Sequence, residues 1–392
     1  MPSSSENAAE KPRPDFAAFA IATAAGLALA LTALFFFAIP VAGNLAGSRD
    51  FVSYWATGQQ LLRHANPYDG SAILSIEHSA GFPYQIVLLM RNPPWALPLA
   101  YPLGFLGIHL AAALWSLPLL ACLFLSVHLL HPLYPSADNL TSALALSFTP
   151  ALICFTMGQT ALFALLGLAL FLRLHKTRPF AAGASLWLCA LKPHLLLPFV
   201  AALIVWIVAA RAFRLLAGAV TALALSSAAA FLIAPHAWRD YFALMRSPAV
   251  ENDFIPCLAA LMRNRLAPHA LWLQYLPAAL ACFWALVYFW RRRASWDWTS
   301  HGSLLALVSL LVAPYCWFYD LCLAIPALMH GACATRFRAL VAAPALMILL
   351  MDAEVYTVRG VASYLYLWIA PALLVWYLAA SATARRADAV NA

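Results

Sequence analysis

A chain of 392 residues that is 65% hydrophobic and only 10% charged is too apolar for water to be its main solvent. The formal charge of +8 raises nucleic-acid binding, but the basic residues come as short clusters between apolar runs, with no patch interleaved with exposed aromatics, so no nucleic-acid partner is expected. The eight cysteines fall mostly inside apolar runs and form no C-x-x-C, which speaks against a zinc or redox site.

Residues 1–15 are polar and read as a disordered tail. The apolar run from Phe16 to Val41 is too long for the core of a signal peptide and has no convincing cleavage site, so it reads as a retained first span. A long hydrophilic stretch, 42–93, follows. In it Phe51, Tyr54, Trp55, Leu61 and Leu62 recur at helical spacing, which predicts an interfacial amphipathic helix with Asp50 at its N-terminal end. An acid there is either a helix cap or a carboxylate at the membrane surface that acts as a general base. Residue types alone leave both readings open. Pro83, Pro93, Pro94, Pro98 and Pro102 interrupt 84–105, which therefore reads as a re-entrant or interfacial segment.

Further spans are expected at 106–130, 139–157, 160–174, 179–191, 193–210, 213–234, 269–290, 302–313, 316–333, 338–352 and 361–383, making about twelve with the first. A second hydrophilic loop, 235–268, carries Arg239, Asp240, Arg246, Glu251, Asp253, Arg263 and Arg265; its mixed signs suggest a solvated surface helix. One or two of those arginines are candidates to clamp an anionic headgroup. Residues 16–384 read as one transmembrane domain, and 385–392 as a short tail.

Three positions inside or between the apolar runs stand out. Gln159, in M-G-Q-T, is a helix-junction polar residue that either hydrogen-bonds between helices or faces a site. Lys192, in L-C-A-L-K-P-H, is expensive at membrane depth unless it snorkels or meets an anion, and His194 beside it is either hydrogen-bonded structure or an assistant. Asp320, in A-P-Y-C-W-F-Y-D-L with Tyr315 and Tyr319, needs a partner, either Lys192 or an arginine of the second loop.

With twelve spans and the N-terminus inside, 14 of the 23 Lys and Arg residues fall on the cytoplasmic side, in the clusters at 11–13, 173–178, 211–214, 291–293, 336–338 and 385–386. Nine of the 15 acids, and both long loops, fall outside. Chemistry on that face has no access to cytoplasmic nucleotides. One carboxylate with a cation or two suffices for sugar transfer from a phosphate, because that leaving group needs no general acid. Phosphate-loop, dinucleotide, zinc-protease and nucleophile-elbow motifs are all absent.

D-F-V-S-Y-W-A-T-G-Q-Q-L-L-R-H-A-N-P-Y-D (50–69) resembles the opening signature of glycosyltransferase family 87, polytopic enzymes of the GT-C superfamily. P-P-W-A-L-P-L-A-Y-P-L (93–103), G-Q-T-A-L-F-A-L-L (158–166), A-A-G-A-S-L-W-L-C-A-L-K-P (181–193) and P-Y-C-W-F-Y-D-L (314–321) follow in order. The resemblance implies an all-α GT-C-like bundle of about 12 transmembrane helices with two long outward loops. It implies a polyprenyl-phosphate sugar donor, typically carrying mannose, used without metal or cofactor on the outer face of a bacterial-type inner membrane, with a glycolipid or polysaccharide acceptor. Asp50 matches the family's loop aspartate and takes the base role, and Lys192 matches the K-P position near the donor. Tyr54, Tyr68, Asp69, Gln159, His194, Tyr315, Tyr319 and Asp320 are the further candidate substrate contacts, although Tyr315 stands where some relatives carry a histidine. The reading is an inverting hexosyltransferase. A transporter or flippase of a lipid-linked sugar would call for mid-membrane polar residues and repeat symmetry, and a scaffold would tolerate loss of both Asp50 and Lys192.

Overall fold

The computed structural model describes residues 47, 49–134, 136–247, 254–335, 337–358 and 361–391. The expected first span and N-terminal tail lie outside them, as do Glu251 and Asp253. Among the described residues there are seventeen α-helices, joined by short 3-10 turns, and no strand. The expected all-α class holds.

The first half runs through α1 (Phe51–Leu62), α2 (Gly70–Ser79), the single turn α3 (Leu97–Ala100), α4 (Ile108–Leu130), α5 (Asn139–Leu146), α6 (Thr149–Met157), α7 (Ala161–Leu174), α8 (Pro179–Cys189) and α9 (Leu197–Ala209). Then come α10 (Phe213–Ile233), α11 (Ala237–Met245), α12 (Leu258–Leu266), α13 (Trp272–Arg292), α14 (Trp298–Val312), α15 (Ile325–Ala334), α16 (Arg338–Val358) and α17 (Ile369–Asn391). The C-terminal stretch expected as a tail continues α17 as helix to Asn391.

Five helical segments are long and apolar enough to cross a membrane: 108–133, 213–233, 272–295, 339–358 and 364–383. Two further segments cross only as bent pairs. The expected span 139–157 is broken by 44° between α5 and α6, where Pro150 sits in the first turn of α6 and cannot continue the helix before it. The expected spans 179–191 and 193–210 are the two arms of a sharp bend of 119° between α8 and α9. Helix α7, helix α14 and the stretch Phe318–Ala334 are apolar but short. The described residues therefore hold five helices long and apolar enough to span, or seven if each bent pair is one span; the expected count of about twelve also includes the first span, outside the described residues, and the shorter apolar helices.

Helix α1 forms where the periodicity places it, and its apolar side packs against protein. Phe51, Val52, Tyr54, Ala56 and Leu61 are all buried. The cause is a close backbone approach: a Cβ on Gly58 would lie 2.4 Å from the Ala100 carbonyl oxygen, and one on Gly104 2.3 Å from that of Gly58. Only glycine on both sides lets α1 bed directly on the proline-rich turns of 94–105. Trp55 Nε1 and Gln59 Nε2 then donate to the carbonyls of Leu106 (2.9 Å) and Gly104 (2.7 Å), satisfying groups that irregular backbone leaves open. The segment expected to be re-entrant is thus a packed bed of short turns.

Asp69 caps α2, accepting from the backbone N–H groups of Ser71 (3.0 Å) and Ala72 (3.2 Å). At the other end of α2 the Glu77 carboxylate accepts from the Leu88 N–H (3.2 Å) and His78 Nε2 meets the Tyr84 carbonyl (2.9 Å), fastening the stretch that leads to residue 90. Burial pushes the Glu77 carboxyl up to about 8, opposed by its Leu88 N–H hydrogen bond. The second loop is less solvated than its charges suggest: Arg263 is buried in α12, whereas Arg239 pairs on the surface with Asp240 (3.1 Å).

Gly58→Ala should lower stability by about 1–3 kcal/mol through overpacking against Ala100, read as a fall in the thermal unfolding temperature of the purified protein.

Candidate active site

Three interruptions in the helices meet at one end of the bundle. Gly158 ends α6 in the left-handed region at φ 74°, and a Cβ there would sit 2.7 Å from that of Phe51, so the turn requires glycine and delivers Gln159 and Thr160 beside α1. Trp115 Nε1 donates to the Gly158 carbonyl (2.8 Å) and fixes this turn against α4. At the second interruption Lys192 precedes Pro193, whose ring opens a 3-10 turn, Pro193–Leu196, before α9. The third follows α14: residues 313–317 run irregularly into the 3-10 helix Phe318–Ala324, which brings in Asp320.

One chain of hydrogen bonds joins all three to α1. Gln159 Nε2 donates to Asp50 Oδ2 (2.8 Å). Gln159 Oε1 accepts from the Tyr54 hydroxyl (2.9 Å) and from Lys192 Nζ (3.0 Å). Lys192 Nζ also donates to Asp320 Oδ1 (2.7 Å) and lies 4.8 Å from the centroid of the Tyr319 ring. Asp320 Oδ2 accepts in turn from the Trp317 backbone N–H (3.0 Å), capping its own 3-10 helix. Each amide atom of Gln159 thus has a defined role. Its donor end faces a carboxylate, and its acceptor end faces an ammonium and a hydroxyl.

Asp50 stands at the cap position of α1 but makes no side-chain cap bond. The carboxylate turns away from its own helix to Gln159 and Tyr319. Burial pushes its pKa above the ordinary aspartate value, opposed by the Gln159 hydrogen bond and by the nearby Lys192 charge. A carboxylate so placed is a stronger base than a solvated one.

A cavity of about 260 Å³ opens beside this chain. Tyr54, Gln159, Lys192, His194, Tyr315 and Tyr319 line it. Asp50 reaches it through Gln159, and Asp320 stands fully buried behind Lys192. Tyr68 is one layer back: its hydroxyl donates to the Asn92 carbonyl (3.2 Å) and its ring packs 5.5 Å from that of Tyr241 on the cavity wall. Asp69 is exposed at the start of α2 and is not among the lining residues. Two polar atoms on the wall, His194 Nε2 and Gln274 Oε1, are buried with no hydrogen-bond partner, the condition of groups that await a ligand or water.

Arg91 and Asn92 also line the cavity, and sequence reading did not single them out. Asn92 Nδ2 donates to the Leu191 carbonyl (2.8 Å) and to Thr160 Oγ1 (3.3 Å), tying the first loop to two of the interruptions. Both residues sit in R-N-P-P, a stretch whose prolines point to a loop and give no hint of what faces it. Their only signal was adjacency to P-P-W-A-L-P-L-A-Y-P-L.

Lys192→Met should destabilise the fold by about 3–5 kcal/mol, because it leaves the Asp320 carboxylate buried without a counter-charge. Adding Asp320→Asn should recover much of that loss, since the amide oxygen still accepts from Trp317; thermal unfolding of the two variants side by side checks this.

Comparison with known families matches residues 91–314, more than half of the chain, to glycosyltransferase family 87. The matched stretch holds Gln159 and Lys192 but begins after Asp50 and ends before Asp320. No curated protein and no solved structure is matched. With its apolar helices and its interrupted spans gathered around one polar cavity, the chain belongs to glycosyltransferase family 87, a family of GT-C membrane glycosyltransferases.

Proposed function

We propose that the protein moves a hexose, mannose, from a polyprenyl-phosphate donor to an acceptor hydroxyl on the outer face of the membrane, with inversion at the anomeric carbon. The observation that carries this reading is the Asp50 carboxylate, turned from its own helix end into the polar chain beside a cavity that presents Lys192 and Arg91. In the proposed step Asp50 accepts the proton of the acceptor hydroxyl as its oxygen attacks the anomeric carbon. The bond from that carbon to the phosphate oxygen breaks, and polyprenyl phosphate leaves as the anion. Two of the three Lys192 N–H bonds are committed to Gln159 and Asp320, which leaves one for a phosphate oxygen. Arg91 supplies a second cation on the same wall. A cavity of this volume lies at the small end of ligand sites, which suits a single sugar phosphate with its lipid tail outside. An envelope glycolipid or polysaccharide is the acceptor class that fits an outward site.

Asp50→Asn should lower transfer by about 10²–10⁴-fold while leaving the unfolding temperature unchanged, because an amide oxygen still accepts from Gln159 but takes no proton. Purified protein incubated with polyprenyl-phosphate mannose and scored for released polyprenyl phosphate provides the measurement, and an Asn variant as active as wild type would overturn the base assignment.

The working form of Asp50 is the ionised one, so kcat/KM should fall on acidification. Because burial raises the folded pKa, the midpoint of that fall should lie above the ordinary aspartate value near 3.8, and the limb should vanish in the Asn variant. A profile flat through that range would contradict the role.

A further inference from the structure

A second and larger cavity, of about 640 Å³, lies at the opposite ends of the helices that carry the site. Helix α7 runs from Thr160 beside Gln159 to Leu174 beside this cavity, and α8 and α9 likewise begin and end there, at Pro179 and Ala210. Its wall combines three cations, Lys176, Arg211 and Arg214, with the aromatic rings of Trp206, Phe213 and Trp298.

Lys176 is held by Asp297 (2.6 Å), but among the described residues no acid pairs with Arg211 or Arg214. Both arginines are exposed. Arg211 also occupies the left-handed region at φ 52°, in the turn between α9 and α10 where glycine is the ordinary choice. A long cationic side chain thus stands at a position where backbone preference opposes it. Trp298, also lining the cavity, is buried to 1% exposure, and among the described residues its indole N–H, like that of Trp296, has no acceptor. Helices α8, α10 and α14 all start at this cavity, so the positive ends of three helix dipoles add to the two arginines.

The same edge is continuous with apolar surface. Phe180, Val208 and Phe213 are exposed beside it, and α10 continues from Phe213 with an exposed apolar face, so an amphiphile with its charge in the cavity would lay its chains along them.

We propose that this cavity is a binding site for a phosphate anion, in the first instance the headgroup of an anionic phospholipid, held by Arg211 and Arg214 against the tryptophan wall. The site is separate from the polar chain around Gln159, and its existence does not depend on the donor or acceptor of the transfer reaction.

The full-length protein in detergent, titrated with dioleoylphosphatidylglycerol and followed by native mass spectrometry, should bind the lipid. Arg211→Asn combined with Arg214→Gln should weaken that binding at least about tenfold, asparagine being chosen because it tolerates left-handed backbone. Arg291→Gln with Arg292→Gln removes the same charge from the exposed end of α13, off the cavity wall, and should leave binding unchanged. A parallel titration with inorganic phosphate separates the sources: binding of phosphate alone with the same arginine dependence would mark a free-anion site, and binding of the lipid alone a headgroup site. The proposal is overturned if neither ligand depends on Arg211 and Arg214, or if the α13 variant loses as much binding as the cavity variant.

Discussion

The ion pair between Lys192 and Asp320 organises the end of the bundle where chemistry is proposed. Removing either charge from water costs several kcal/mol, and neither group is tolerable alone among apolar helices. Each is therefore partnered: the ammonium by a carboxylate, an amide oxygen and an aromatic face, with one N–H left over, and the carboxylate by the ammonium and a backbone N–H. Such a pair has little freedom to shift, because any displacement exposes a charge to a medium that cannot solvate it. Gln159 carries this rigidity on to Asp50, so the carboxylate proposed as base is held in register with the cation proposed to meet the phosphate.

Holding four segments together in this way has a consequence for the helices. Backbone within an apolar layer must satisfy its own hydrogen bonds, which favours unbroken helix. Here the breaks at Gly158, at Lys192–Pro193 and at 313–317 gather at one cavity, where polar side chains replace the missing backbone partners. Asn92 shows the principle well, since its single amide bridges two of the breaks. The short lengths of α7, α8 and α14 follow from the same cause. They are spans cut where the site needs irregular backbone.

The bundle is also polarised along its length. At one end lie Asp50, Asp320 and the chain of Gln159 and Lys192 between them; at the other lie Arg211, Arg214 and the tryptophan cluster of Trp206, Trp296 and Trp298. Helices α7, α8 and α9 connect the two ends directly.

Much of this was legible in the residues. Hydropathy determined an all-helical membrane protein, because no other solvent accommodates the composition. The desolvation cost of a lone intramembrane charge marked Lys192 and Asp320 and offered Lys192 or a second-loop arginine as the partner of Asp320, and glutamine at a helix junction marked Gln159. What the residues left open was decided by packing. Asp50 at the start of a helix has the same local sequence whether it caps or not, and only the approach of Gln159 from 109 positions away turns it aside. Asp69 displays the alternative, with the same residue type serving as a true cap. The amphipathic pattern of α1 could not distinguish a lipid surface from a protein one; Gly58 against Gly104 chose the protein. The bends at 139–157 and 179–210 were not legible, since a hydropathy window records apolar length and not direction. Arg91 and Asn92 stayed hidden because a proline-rich loop has no period from which to read which side chains face a cavity. The sequence by itself determined the solvent, the class and the costly charges, all of which are local quantities, whereas the assembly of those charges into one site belongs to long-range contacts that exist only in the folded chain.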